Sequence, residues 1–260
     1  MSILPAVRQD LSDVQIVMEW EPSEESRSAA VYKSQFAEDK AYLEKVKTGL
    51  ARLENLTFSR AARREDENLG YTGTDAEGRK FQMIFFFRTG EWNYTTFSET
   101  VAQLKEETAR EERERYENWM NSVGLLPEGA AFSIQNGDTL RWDASTPQDI
   151  SVRKEDFQKG SILIQLHESG APVNFFYQVT WNRYVATEKL ISQTQALEQV
   201  QKGNFEQYVP FQTGDMLHIT NCELTYVYDT KGFYQPVYEF SGYLNQKDNL
   251  WTCRIPALPQ

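Results

Sequence analysis

Residues 14–20 open on an alternation of apolar and polar positions (Val14, Gln15, Ile16), the period of a strand with one buried face. A polar stretch with Pro22 as breaker follows over residues 21–28, and Ala30-Val31-Tyr32-Lys33 predicts a short second strand. From residue 38 to 53 the period changes. Tyr42, Val46, Leu50 and Leu53 recur at helical spacing, so an amphipathic helix is expected, weakened slightly by Gly49. Strands are expected next at residues 56–61, 69–74 and 80–88. The last two are joined by Asp75-Ala76-Glu77-Gly78, a turn in which the glycine supplies a positive φ. A short strand over Trp92–Thr96 follows the Thr89-Gly90 turn.

Ser98 is placed to cap a long helix running to about Val123, with an apolar stripe through Val101, Leu104, Thr108, Tyr116, Trp119, Met120 and Val123. Its middle, residues 106–117, is densely charged, with Glu106/Arg110 and Glu111/Arg115 at i,i+4 spacing. Such a run serves either as an interaction helix or, more simply, as the solvated face of a helix packed at its ends. Residues 124–156 are rich in turns, with Pro127, Gly129, Gly137 and Pro147; Asn136-Gly137 is a hairpin signal between residues 131–134 and 139–142. That stretch is the best place for a boundary between an N-terminal unit, 1–126, and a C-terminal unit, 127–260, or for a loop bridging two halves.

The C-terminal half carries the clearest pattern. Strands are expected at residues 161–167 and 173–181, linked by the turn Glu168-Ser169-Gly170-Ala171-Pro172. A short helix over 192–203 opens on a capping box, Ser192 and Gln195, and closes at Gly203. Three strands end the chain: Met216–Tyr228, Phe233–Leu244 and 250–258.

Composition changes this picture mainly by exclusion. Hydrophobic residues make up 40% and charged residues 25%, a folded rather than a disordered profile. Aromatic residues reach 13%, which favours strands. A net charge of −11 argues against nucleic acid as a partner and against docking on anionic lipid through a basic face. The bland reading of that acidity is solubility. No apolar run approaches the length of a membrane helix, the longest being Met83-Ile84-Phe85-Phe86-Phe87. Residues 1–10 hold neither a basic nor an apolar leader region. Either the chain is cytoplasmic from Met1, or a leader or anchor has been removed from it.

Chemistry is sparse. There is no Gly-x-Ser-x-Gly elbow, no phosphate-binding glycine loop and no His-Glu-x-x-His motif. His167 and His218 each sit in a strand pattern, where a satisfied structural histidine is the simpler reading. No metal and no cofactor is expected, since neither histidine has ligand spacing to a cysteine. Cys222 and Cys253 are candidates for a disulfide in an oxidising compartment or, equally, for two buried thiols. Thirty-eight Asp and Glu leave a carboxylate pair acting on glycans as the one catalytic alternative, with Trp92, Trp181 and Trp251 as a sugar platform. The simpler reading places those tryptophans in the core.

One resemblance adds to this. The capped helix with Ala196-Leu197, feeding three strands that carry Leu224-Thr225-Tyr226 and then Pro236-Val237-Tyr238-Glu239-Phe240, resembles the PepSY-like architecture. In particular the order of these motifs resembles that in the extracytoplasmic YycH/YycI regulatory proteins of Gram-positive bacteria. The likeness spans residues 188–258, and the 30–53 region echoes it loosely. It implies an α+β fold of two PepSY-like units, each a helix over an antiparallel sheet. It also implies a cell-envelope protein, held by a lipid or a single helix outside this chain, that contacts another envelope protein without turnover. Tyr226, Tyr228, Tyr238 and Phe240 are the candidate binding surface, through strand addition at an open edge; the plainer reading is that they fill and flank the core. Pro236, lacking an N–H, is expected at an edge or a bulge. A structural scaffold within an envelope assembly is the remaining alternative.

Overall fold

Fourteen strands and three helices account for the regular structure of the described residues, which in the computed structural model are 9–59, 62–63, 68–97, 100–207 and 209–259. The chain divides into two units, both discontinuous in sequence. One comprises residues 1–32, 149–155 and 184–260, the other residues 33–148 and 156–183. Position 126/127, where the turn-rich stretch suggests a boundary, falls inside the second of these.

The first unit is built on β1 (Gln15–Met18), β12 (Met216–Tyr228), β13 (Phe233–Leu244) and β14 (Leu250–Pro256), in that spatial order. β12, β13 and β14 form the expected meander, with Cys222 opposite Phe240 and Phe240 opposite Cys253. β1 lies against the far side of β12 and runs parallel to it, Gln15 beside Met216 through Met18 beside Ile219. Helix α3 (Gln193–Gln201) begins at the capping box of Ser192 and Gln195, in which each side chain bonds the other's backbone N–H. Gly203, just past its end, takes the positive φ of 75° that glycine adopts without a Cβ penalty. Ala196, Leu197 and Val200 pack with Leu217, Phe240, Trp251 and Ile255 to form the core.

The second unit holds the meander β5 (Asn68–Thr74), β6 (Lys80–Phe86) and β7 (Trp92–Thr96). A further run of strands passes from β8 (Ala131–Gln135) to β9 (Thr139–Asp143) and β10 (Phe157–Leu166), then to β11 (Pro172–Lys189), of which residues 172–183 belong to this unit and 184–189 to the first. Asn136 and Gly137 join β8 to β9 with φ of 54° and 73°, as the Asn-Gly signal predicts. Helix α1 (Lys40–Leu53) is capped by Asp39 and buries Tyr42, Leu43, Val46 and Leu50. Helix α2 (Glu106–Val123) buries Ala109, Tyr116, Trp119 and Met120. Both faces meet Phe85, Trp92, Phe175 and Tyr177 in one core, where Trp92 stacks on Tyr177 at 5.5 Å.

The α+β expectation, two PepSY-like units of a helix over an antiparallel sheet, is overturned. The fold is mostly β, its helices are three and short, and its sheet is mixed. Two causes are visible. The expected entry to the second helix, residues 101–105, is not helical, so α2 starts at Glu106 without a side-chain cap; Ser98 lies outside the described residues. β1 reaches β12 from about 200 positions away in sequence, free of the hairpin that would force an antiparallel pairing.

Pro236 occupies neither an edge strand nor a bulge. It lies opposite Tyr226 in β13, one residue beyond the last β13–β14 rung, Val237 with Pro256. Its carbonyl accepts from the Ala257 N–H. The bulge is elsewhere in β12, between Ile219 and Asn221.

Candidate functional site

β12 has thirteen residues and two unequal sides. Towards β13 it is paired from Leu217 to Tyr228. On its other side β1 covers only Met216 to Ile219, and among the described residues no strand pairs with the remainder, through Tyr228. The stretch without a second strand partner therefore begins where β1 stops, and within it the Cys222 carbonyl accepts from Gln193 Nε2 at 3.3 Å.

A small polar cluster marks that point. Glu19, the residue after β1, donates its N–H to the Ile219 carbonyl. Its carboxylate oxygen Oε1 accepts from His218 Nδ1 at 2.8 Å and from the Tyr243 hydroxyl at 2.6 Å. The His218 and Tyr243 rings stack at 4.4 Å and 11°. The hydrogen bond from Tyr243, then that from His218, holds the Glu19 carboxyl below its ordinary pKa. This clip joins three strands through residues 199 and 224 positions apart, so no local sequence signal could have revealed it. The expectation for His218 alone, a satisfied strand histidine, describes its place here. His167 sits at the end of β10 beside the Ser169 hydroxyl, at 3.1 Å.

The four candidate binding residues divide into two pairs. Tyr238 is buried and donates its hydroxyl to the Ile191 carbonyl at 2.9 Å, while Phe240 is fully buried with Trp20 edge-on at 6.1 Å. Both belong to the core. Tyr226 and Tyr228 are only partly buried and flank Tyr234, with ring centroids at 5.1 and 4.4 Å. The Tyr226 hydroxyl donates to the Ala30 carbonyl at 2.8 Å, and burial pushes the phenol well above its usual pKa. These two lie along the length of β12 that has no second strand partner among the described residues.

Cys222 and Cys253 are both buried and free. They stand on either side of Phe240, two strand spacings or roughly 9.5 Å apart, beyond the reach of a disulfide without backbone movement. Burial pushes the Cys222 thiol up to about 12, and raises that of Cys253 as well, so neither is poised as a thiolate.

The second unit carries a separate polar pocket of about 270 Å³, open to solvent, lined by Glu54, Asp75, Glu77, Arg79, Tyr94, Glu112 and Arg115 among others. Arg115, expected to pair with Glu111 along its own helix, turns instead to Glu112 at 2.7 Å and to Glu54, beyond α1, at 3.0 Å. The buried Tyr116 hydroxyl also donates to Glu54, at 3.0 Å. Burial raises the Glu54 carboxyl pKa against the opposing effect of Arg115. Across the pocket Arg79 holds Asp75 at 2.6 Å and also pairs with Glu77. The charge run of α2 thus supplies a wall of this pocket, which its sequence pattern alone did not distinguish from a solvated face. Trp92, Trp181 and Trp251 form no shared platform. Trp92 and Trp251 are buried in different cores, and Trp181 donates to the Tyr177 hydroxyl at 2.8 Å. Among the described residues no group of three His, Cys, Asp or Glu is placed to hold a metal ion. Nor is any helix among them long and apolar enough to cross a membrane.

The fold is mostly β, with a mixed sheet in which, among the described residues, β12 has no second strand partner beyond Ile219. No protein-family model matches the chain, and no curated protein matches it. Two solved structures are similar to it in trace. An uncharacterized protein from Eubacterium rectale is 10% identical with a TM-score of 0.36, over 94% of this chain and 87% of that one. The YpeB C-terminal domain of Bacillus megaterium is 13% identical with a TM-score of 0.34, over 85% of this chain and 92% of that one.

Proposed function

We propose that the chain is a non-catalytic binding protein of the cell envelope. On this reading an extended segment of another envelope protein adds as a strand beside β12, continuing the edge that β1 occupies at its first four residues. The observation that carries this is that, among the described residues, β12 has no second strand partner from Thr220 to Tyr228, next to an edge already accepting a strand. Strand addition draws affinity from main-chain hydrogen bonds and specificity from alternate side chains, here Tyr226 and Tyr228. The envelope location rests on the Ala196-to-Phe240 motif order described above, with an anchor supplied from outside this chain.

A glycan-acting enzyme is the weaker reading. In the polar pocket of the second unit, Glu54 and Glu112 clamp Arg115, while Asp75 and Glu77 clamp Arg79, an arrangement that holds carboxylates rather than freeing a pair for acid–base work. A scaffold role would use the same edge without exchange of partners.

The test is photo-crosslinking in the source cell from an aryl-ketone residue placed at exposed Glu223, with exposed Leu250 of β14 as control. A discrete adduct with one envelope protein from position 223 alone is expected. No adduct, or the same adduct from position 250, would sink the reading.

A further inference from the structure

The pocket of the second unit has acceptors that the protein leaves unused. Tyr94, on β7, is 1% exposed and lines the pocket, yet its hydroxyl makes no hydrogen bond among the described residues. Glu54 is 5% exposed in its side chain; both of its bonds, from Arg115 and Tyr116, go to Oε1, and Oε2 accepts nothing there. Neither atom is among the fully enclosed polar atoms that lack a partner, so both keep contact with the open space of the pocket. The charged lining is also unbalanced: Glu54, Asp75, Glu77 and Glu112 face only Arg79 and Arg115.

We propose that this pocket binds a primary alkylammonium group, with Tyr94 Oη and Glu54 Oε2 accepting from its N–H donors. An ammonium supplies three donors and no acceptor, which is what two free acceptors in a net-negative pocket require. A divalent metal ion fits less well, because the carboxylates do not converge as a metal-holding group. A guanidinium would bring a rigid five-donor fork to a site whose carboxylates already hold two. The Tyr94 phenol is held protonated by its burial and by the neighbouring Asp75 and Glu54 charges, so it stays a neutral acceptor.

The same chemistry is offered by a free diamine or by a lysine side chain of a peptide, and titration separates them. The probes are 1,5-diaminopentane, Nα-acetyl-lysine methylamide and, as neutral match, 1-pentanol, followed by amide NMR shifts. Both amines should saturate, with shifts confined to the pocket lining, and pentanol should bind at least tenfold more weakly. The tighter amine identifies the source. Tyr94→Phe deletes only the unpartnered hydroxyl, so it should weaken both amines about fivefold, the worth of one hydrogen bond, without lowering Tm. Glu77→Gln, at an exposed position, should weaken them further by removing charge. Absence of saturable amine binding, equal binding of pentanol, or amine affinity unchanged in Tyr94→Phe would overturn the proposal. None of these outcomes bears on the β12 edge, which belongs to the other unit.

Discussion

Single residues decide geometry here where their neighbours approach closely. Gly242 in β13 faces Ile219, and a Cβ at that position would stand 1.8 Å from the His218 carbonyl oxygen. That closeness accompanies the β12 bulge, which puts the strand's backbone hard against its partner just where Glu19 clips β1 in place. Because the obstacle is backbone and not the tip of a side chain, relief requires moving the ladder. Gly242→Ala should therefore cost about 3 kcal/mol, the upper end of overpacking penalties. Denaturant unfolding would measure it, and a loss below about 1 kcal/mol would show that the bulge yields. None of this was legible in advance. A glycine within a strand pattern signals a bulge or a close approach without saying which strand bends, and the bulge fell on β12 while Pro236 drew attention to β13. Similarly, the polar character of Glu19, His218 and Tyr243 was plain, but their meeting depends on which strands become neighbours.

At the scale of elements, local signals were reliable wherever the chemistry was itself local. The Ser192–Gln195 box, the Asn136-Gly137 hairpin, the Tyr42–Leu50 helical face and the three closing strands all form where their residues predict. The capping box can be weighed directly. Ser192 is buried, its hydroxyl accepts from the Gln195 N–H at 3.2 Å, and α3 has only nine residues over which to spread the loss of an end. Ser192→Ala should lower stability by about 1 kcal/mol, with an unchanged denaturant slope, whereas Ser192→Asp should keep most of it. An equal loss from both substitutions would mean that burial of the serine, not its cap, matters. What failed at this scale was non-local. The start of α2 and the parallel pairing of β1 both depend on tertiary contacts that override the local pattern. The fold class failed with them.

At the scale of the whole molecule, the turn-rich stretch that reads as a boundary is a place where the chain crosses from one unit to the other. Residues 149–155 belong to the first unit, where the Tyr32 hydroxyl bonds the Ile150 and Arg153 carbonyls at 2.6 and 2.7 Å. Turn residues mark such a crossing as readily as a linker, so their composition could not separate the two. The consequence is testable by division. A fragment of residues 127–260 would carry β12, β13 and β14 but lack β1 and the Ala29 contribution to that core. It would also carry Phe175 and Tyr177 stripped of Trp92, Tyr116 and Trp119, which pack around them in the second unit. Folding stability is a small difference between large terms, and neither core survives that loss with a surplus. The fragment should therefore show no cooperative thermal transition and narrow amide dispersion, while the intact chain shows both a transition and dispersed resonances. A cooperatively melting, well-dispersed 127–260 fragment would instead mean that the C-terminal meander and its helix suffice as a folding unit. The stretch of β12 without a second strand partner would then be longer still, because β1 would be gone and its four rungs, Met216 to Ile219, would be free to take the same partner strand.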